Sequence, residues 1–172
     1  MSEHPHTSPI PRVLVAGVMH AKSRAIEALA KVIADVAHTA NVLLVRSVVV
    51  KSERRHIQQL VLNVANDNEA DAIIMVGGTG IGQHDETCEA INAFVERPIE
   101  GFGEAYRRLL DGDLGGQAML ARASAGVYNQ CLVYAMTGRE ADVRRAMEVL
   151  VLPTLAQAVE LATGRAHVGE AR

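Results

Sequence analysis

Tryptophan is absent from this 172-residue chain, and three tyrosines and two phenylalanines are its other aromatic residues. The core must therefore be built from Val, Leu, Ile, Ala and Met, which suits a parallel sheet covered by helices, where branched aliphatics fill the middle layer. Cysteine is nearly as scarce. Cys88 and Cys131 have no CxxC partner, which argues against a disulfide framework and for a reducing, cytoplasmic setting. There is no excess of positive charge either: 17 Lys and Arg stand against 20 Asp and Glu. The pairs Arg54-Arg55 and Arg107-Arg108 are isolated, so no basic stripe is available to neutralise a nucleic-acid backbone. No stretch reads as the roughly 20 consecutive apolar residues that cross a bilayer, so no membrane span is expected. Residues 1–11 carry two His and three Pro but no apolar run; they read as a flexible leader and not as a signal peptide.

Apolar residues make up 49% of the chain and charged residues 22%, ordinary values for a globular domain. Arg12 to Val18 is a short apolar run bounded by Pro11 and reads as a buried strand. Ile26, Leu29, Ala30, Ile33 and Ala37 then follow helical spacing. Val42 to Val50 is rich in β-branched residues and predicts a second strand. Ile57, Leu60, Val61 and Val64 predict a second helix, and Ala72 to Val76 a third strand. Alternating strands and helices build a parallel sheet through right-handed crossovers. The second half reads as helices over residues 86–96, 102–110 and 117–123, a strand over 131–136, and two closing helices over 140–150 and 155–162, separated at Pro153. The expectation is a single α/β domain over residues 12–164, with a frayed tail over 165–172.

The third strand runs directly into Gly77-Gly78-Thr79-Gly80-Ile81-Gly82. Open parallel sheets bind ligands at the carboxyl ends of their strands, and successive amides in a glycine turn form an anion-binding concavity. A phosphate is the natural guest, although a tight strand-to-helix turn would also need glycine. No Lys follows to make a P-loop, and the alternation Gly78, Gly80, Gly82 is not the dinucleotide fingerprint GxGxxG.

Gly77-Gly78-Thr79-Gly80, then Asp85, Thr87 and Glu89-Ala90, followed by Gly101-Phe102-Gly103-Glu104 with Arg107, and then Ala118-Met119-Leu120, Arg122-Ala123 and Ala125-Gly126-Val127, together resemble the molybdenum-cofactor biosynthesis family of MoaB and MogA proteins. The resemblance is good over about residues 72–155 and looser before. It implies a three-layer αβα domain with a mostly parallel central sheet, assembled as a homotrimer or homohexamer. It also implies a molybdopterin adenylyltransferase, which joins AMP from Mg-ATP to the terminal phosphate of molybdopterin. By resemblance, Gly77, Gly78, Thr79 and Gly80 hold the phosphate end of the pterin and Glu104 binds the pterin. Gly138 and Arg139 stand at the turn after the last strand. Asp85 is the acid near the nucleotide phosphates, where a carboxylate can hold Mg²⁺, and Glu53 is a second candidate catalytic acid. Asp85 reads equally as the N-cap of the following helix, Glu53 as a first-turn acid favoured by the helix dipole, and Glu104 as a surface residue pairing with Arg107 or Arg108. His84 reads as a solvated loop residue, and the two cysteines as small packing residues.

Three positions depart from the family pattern. The Ser-Asp pair expected after the first strand is replaced by Ala16 to Ser23, which has no carboxylate. The acidic pair expected after the second strand is Ser52-Glu53, and the Pro-Gly-Ser turn is Thr137-Gly138-Arg139. Phosphoryl chemistry depends on electrostatic positioning, and exchanging a small hydroxyl for a guanidinium is not a quiet change. An alternative reading is therefore a catalytically inactive paralogue, acting as a pterin- or nucleotide-binding protein or as a scaffold oligomer.

Overall fold

The computed structural model describes residues 10–19 and 25–164. Residues 1–9 of the expected leader, the stretch 20–24 that includes Ser23, and the expected tail 165–172 lie outside the described residues. Three strand–helix pairs come first: β1 Arg12–Met19, α1 Ala25–Thr39, β2 Leu43–Lys51, α2 Arg54–Asn66, β3 Ala72–Val76 and α3 Thr87–Asn92. They are followed by β4 Arg97–Pro98, α4 Gly101–Leu114, a 3₁₀ turn Gly115–Leu120, β5 Ser124–Tyr128 and β6 Cys131–Met136. The chain closes with α5 Glu140–Ala146, a π-helical segment Met147–Val151 and α6 Leu152–Thr163.

The strands form a six-stranded sheet in the order β2-β1-β3-β6-β5-β4. β2, β1, β3 and β6 are mutually parallel, whereas β5 and β4 run antiparallel to their neighbours. Alternate side chains of each strand leave opposite faces of the sheet, and both faces are covered. On one face Val13, Val15, Ile74, Leu132 and Tyr134 pack with Leu29, Ile33 and Val36 of α1, Phe102 and Tyr106 of α4, and the helix formed by the closing residues. On the other, Leu14, Ala16, Ile73, Met75 and Val133 pack with Ile57, Val61 and Val64 of α2 and Ala90 and Ile91 of α3. This is the expected three-layer, mostly parallel αβα arrangement.

The second half differs from its sequence reading in several places, among them the two-residue strand β4, which that reading lacked, and α3, which ends at Asn92 and not at residue 96. Of the segment 117–123, residues up to Leu120 belong to the 3₁₀ helix Gly115–Leu120 and the rest is irregular chain leading into β5, so no α-helix forms there. β5 and β6 form a hairpin whose turn residues Asn129 and Gln130 have φ of 43° and 66°, the paired positive values of a type I′ turn. Pro153 does not separate two helices, because Glu140–Thr163 is one helical run of 24 residues. Proline lacks an N–H and its ring presses on the carbonyl four residues back. The wider π turn over Met147–Val151 relieves that crowding immediately before it. This run is long and apolar enough by composition to cross a bilayer. Its Val143, Met147, Val151, Leu155 and Val159 are packed into the core, whereas Val149 and Leu161 of the same run are exposed.

Candidate functional site

The chain passes from β1 to β2 on one side and then to β3 on the other, so the carboxyl ends of β1 and β3 flank a topological switch point, where open α/β sheets bind ligands. Gly77 and Gly78 lie there with φ of 99° and 63°. A Cβ on Gly77 would stand 2.6 Å from the Val18 carbonyl oxygen, and one on Gly78 would stand 2.5 Å from Thr87 Oγ1 and 2.9 Å from Ser52 Oγ. Both glycines are thus required by close packing of strand ends as well as by backbone conformation. Thr87 secures the turn from above, its hydroxyl donating to the Gly77 carbonyl at 2.9 Å and its amide to that of Gly78 at 2.9 Å.

Gly80 and Gly82 have a different task. An added Cβ would stand 2.6 Å and 2.8 Å, respectively, from Asp85 Oδ2. The two glycines make room for that carboxylate to fold back and accept the Gly82 amide at 3.1 Å. Asp85 is therefore not the N-cap of α3. That position belongs to Glu86, whose carboxylate accepts the backbone N–H of Arg54 at 2.9 Å and so joins the starts of α2 and α3.

Among the described residues, the amides of Gly78, Thr79 and Gly80 donate to no protein acceptor. The Thr79 hydroxyl, although the residue is 1% exposed, has no hydrogen-bond partner there either. Consecutive free amides beside an unmatched buried hydroxyl make a concavity suited to an anion with several acceptor oxygens.

The neighbouring strand ends complete the rim. Ser52, 5% exposed, donates to the His84 carbonyl at 2.8 Å, and its own amide donates to the Met19 carbonyl at 2.9 Å. Glu53 is the N-cap residue of α2 without a side-chain cap, and its carboxylate takes Lys51 Nζ at 3.0 Å and His56 Nδ1 at 2.9 Å. Lys51, with His56, holds it below the usual carboxylate range. Gly138 follows β6, and a Cβ there would stand 3.5 Å from the Gly77 Cα, so the turns after β3 and β6 are in contact. Arg139 is the N-cap residue of α5, and it forms an ion pair with Asp142, Nε to Oδ2 at 3.2 Å.

The structure brings Gly77, Gly78, Thr79, Gly80, Asp85 and Gly138 together, with Arg139 one residue from that contact. Glu104 lies exposed on α4, and among the described residues it pairs with neither Arg107 nor Arg108. No group of three or more His, Cys, Asp or Glu gathers as a metal-ligand cluster among the described residues. Sequence reasoning missed the chain Tyr106–Thr137–Asp142, in which Tyr106 Oη and Thr137 Oγ1 are 2.7 Å apart and Thr137 Oγ1 donates to Asp142 Oδ2 at 3.2 Å. Burial pushes the Tyr106 phenol up. An acid in the first turn of a helix reads as dipole complementation, and this masked Asp142. Sequence reasoning also missed the ion pair of Glu89 with Arg122, which ties α3 to the segment before β5. Burial raises the Glu89 carboxyl, but the Arg122 hydrogen bond leads the influences that outweigh it and leave it lowered.

Residues 12–157 match the family model described as a probable molybdopterin binding domain. The chain is 40% identical over 109 residues to molybdenum cofactor biosynthesis protein B of Bacillus cereus, a match covering 62% of this chain and 64% of that protein. The chain thus spans just under two thirds of the length of such curated relatives. A crystal structure of a molybdenum cofactor biosynthesis protein B superposes with a TM-score of 0.86 at 28% identity, covering 92% of this chain and 99% of the other. A molybdopterin biosynthesis protein from Mycobacterium abscessus gives 0.80 at 27% identity, covering 91% and 99%. With a sheet and helices on the same plan and the family model matched over most of its length, the chain belongs to the molybdenum-cofactor biosynthesis family of MoaB and MogA proteins.

Proposed function

We propose that this protein binds molybdopterin by its terminal phosphate in the Gly77–Gly80 turn and transfers AMP to that phosphate from Mg-ATP. The observation that carries the reading is that, among the described residues, the amides of Gly78, Thr79 and Gly80 and the Thr79 hydroxyl beside them have no protein partner, because a phosphate monoester supplies acceptors for them. Asp85 is the residue to hold the Mg²⁺ of Mg-ATP. One of its oxygens takes the Gly82 amide, and magnesium is commonly held by one or two carboxylates with water and phosphate completing its shell. The ion would neutralise charge on the reacting phosphates, while the chain orients them through fixed amides. Glu53 serves at the rim as an electrostatic neighbour, with Lys51 and His56 already bound to its carboxylate.

One observation favours a second reading, a paralogue that binds pterin or nucleotide without turnover. Ser52 stands where the family pattern has an acid, and its hydroxyl is committed to the His84 carbonyl. Assembly as a homotrimer or homohexamer in the cytoplasm belongs to either reading. An apolar groove of about 570 Å³ lined by Phe102, Val127, Tyr134, Leu150 and Leu161 is a surface that a second copy could cover.

Calorimetric titration with molybdopterin and with Mg-ATP, followed by assay for adenylylated pterin, tests these readings. Binding of both with product is expected. Pterin binding without product would leave the non-catalytic reading, and absence of pterin binding would overturn both.

A further inference from the structure

Asp142 is 4% exposed, yet it carries a carboxylate at the carboxyl end of β6. A buried carboxylate is costly unless it is fully engaged. Its Oδ2 accepts from Thr137 Oγ1 at 3.2 Å and is ion-paired with Arg139, whose Nε lies 3.2 Å away, and the Thr137 hydroxyl is backed in turn by Tyr106 Oη at 2.7 Å. The chain of groups is anchored in the core, since Tyr106 is fully buried on α4. It ends at the Arg139 side chain, which remains 58% exposed. An ordinary exposed pair three residues apart fixes little. Here one partner is buried and tied to Thr137, and it pairs with the guanidinium on its Nε side. Among the described residues, the two terminal nitrogens of Arg139 have no acceptor. Those nitrogens form the flat fork that matches two oxygens of a phosphate. Arg139 leaves the chain one residue after Gly138, which touches Gly77 at the start of the free amides.

We propose that Asp142 is a positioning residue that holds the Arg139 guanidinium as a phosphate clamp at the mouth of the Gly77–Gly80 turn. The ligand class is a phosphate monoester, gripped by the amides on one side and by the fork on the other. The inference deepens the proposed function and rests on that reading for the identity of the ligand as molybdopterin. It does not rest on it for the clamp itself, which any phosphate would report.

The test is calorimetric titration of molybdopterin, and separately of inorganic pyrophosphate, into the full-length protein and its variants. R139S is expected to weaken binding about tenfold, the equivalent of one charge-assisted hydrogen bond. D142N is expected to weaken it several-fold in the same direction, and the double variant to bind no more weakly than R139S alone, because Asp142 acts through Arg139. R139K keeps the charge but cannot be gripped by Nε while presenting a fork, and it is expected to weaken binding as D142N does. Should D142N fail to fold, R139K on its exposed side chain decides the matter, and wild-type affinity in it overturns the proposal. So do wild-type affinity in D142N and multiplied losses in the double variant. If the wild type takes up pyrophosphate but not molybdopterin, the proposed function falls and the variant series with pyrophosphate still judges the clamp. If it takes up neither, the clamp falls as well.

Discussion

The Ser52 hydroxyl donates to the His84 carbonyl across 2.8 Å, stitching the end of β2 to the loop that carries Asp85. Both the serine and its bond are shielded, with Ser52 only 5% exposed. Replacing Ser52 by Ala removes this bond from a partly buried place. A loss of about 1–2 kcal/mol is expected, read as a lowered midpoint in denaturant unfolding with an unchanged slope. An unshifted midpoint would mean that the bond contributes nothing to holding the loop.

Gly77→Ala and Gly78→Ala are each expected to cost about 1–3 kcal/mol from positive φ alone, with more from crowding. The Val18 carbonyl at 2.6 Å is backbone and cannot swing aside for a methyl at position 77, whereas the Thr87 and Ser52 hydroxyls around position 78 belong to side chains. Gly77→Ala should therefore be the more damaging of the two by thermal unfolding. The reverse order would show that the turn adapts more easily than the sheet end.

Much of this arrangement is legible in the chain itself. Val13 to Val18 and Ala72 to Val76 are near-continuous aliphatic runs, which is how strands covered on both faces read, and the glycine cluster marks where they deliver the chain. β4 and β5 were hidden. β4 has two residues, one of them Pro98, and β5 reads Ser-Ala-Gly-Val-Tyr, with little of the β-branched content that signals a strand. Their hairpin turn is Asn-Gln and not Asn-Gly, so the usual marker is missing. At the site, glycine spacing marked the turn after β3 but gave no hint that Gly80 and Gly82 make room for Asp85. Side-chain pairing across 31 residues, as between Tyr106 and Thr137, has no periodic signature at all.

Asp85 and Glu53 should separate in an activity assay. Asp85 is held inside the loop by the Gly82 amide, whereas Glu53 stands exposed between Lys51 and His56. Asp85→Asn is expected to reduce single-turnover AMP transfer by roughly 10²–10³-fold, as loss of a group that stabilises transition-state charge does. Glu53→Gln should cost less than about tenfold by the same measure. Equal losses would place Glu53 in direct charge of the reacting phosphates.

Alkaline pH should destabilise the fold. Burial pushes the Cys131 thiol and the Tyr134 phenol each up to about 12, from 9.0 and 10.0, and raises Tyr106 as well. For groups whose folded value is raised, stability is undiminished below the unfolded value and falls as pH climbs toward the folded one. The midpoint in urea should hold to about pH 9 and drop between pH 9 and 12. A flat profile across that interval would contradict the burial of all three. The same burial leaves Cys131 inert, so a thiol-alkylating reagent at pH 8 should not modify it in the folded protein, and rapid stoichiometric labelling there would contradict this.

The π turn before Pro153 has a geometric consequence for the last helix. Its buried positions Val143, Met147, Val151, Leu155 and Val159 recur every fourth residue. In a uniform α-helix each such step drifts by about 40° around the axis, so the first and last of these side chains would point to nearly opposite sides. A turn with more residues per revolution rotates the stripe back. The proline and the π turn thus act together as a phase correction, which keeps buried positions of both halves of the run on the side of the core. Removing a single residue between positions 147 and 151 would close the wide turn to an ordinary α turn with the distal stripe in nearly the same phase, and would return Pro153 to the crowding that the wide turn relieves.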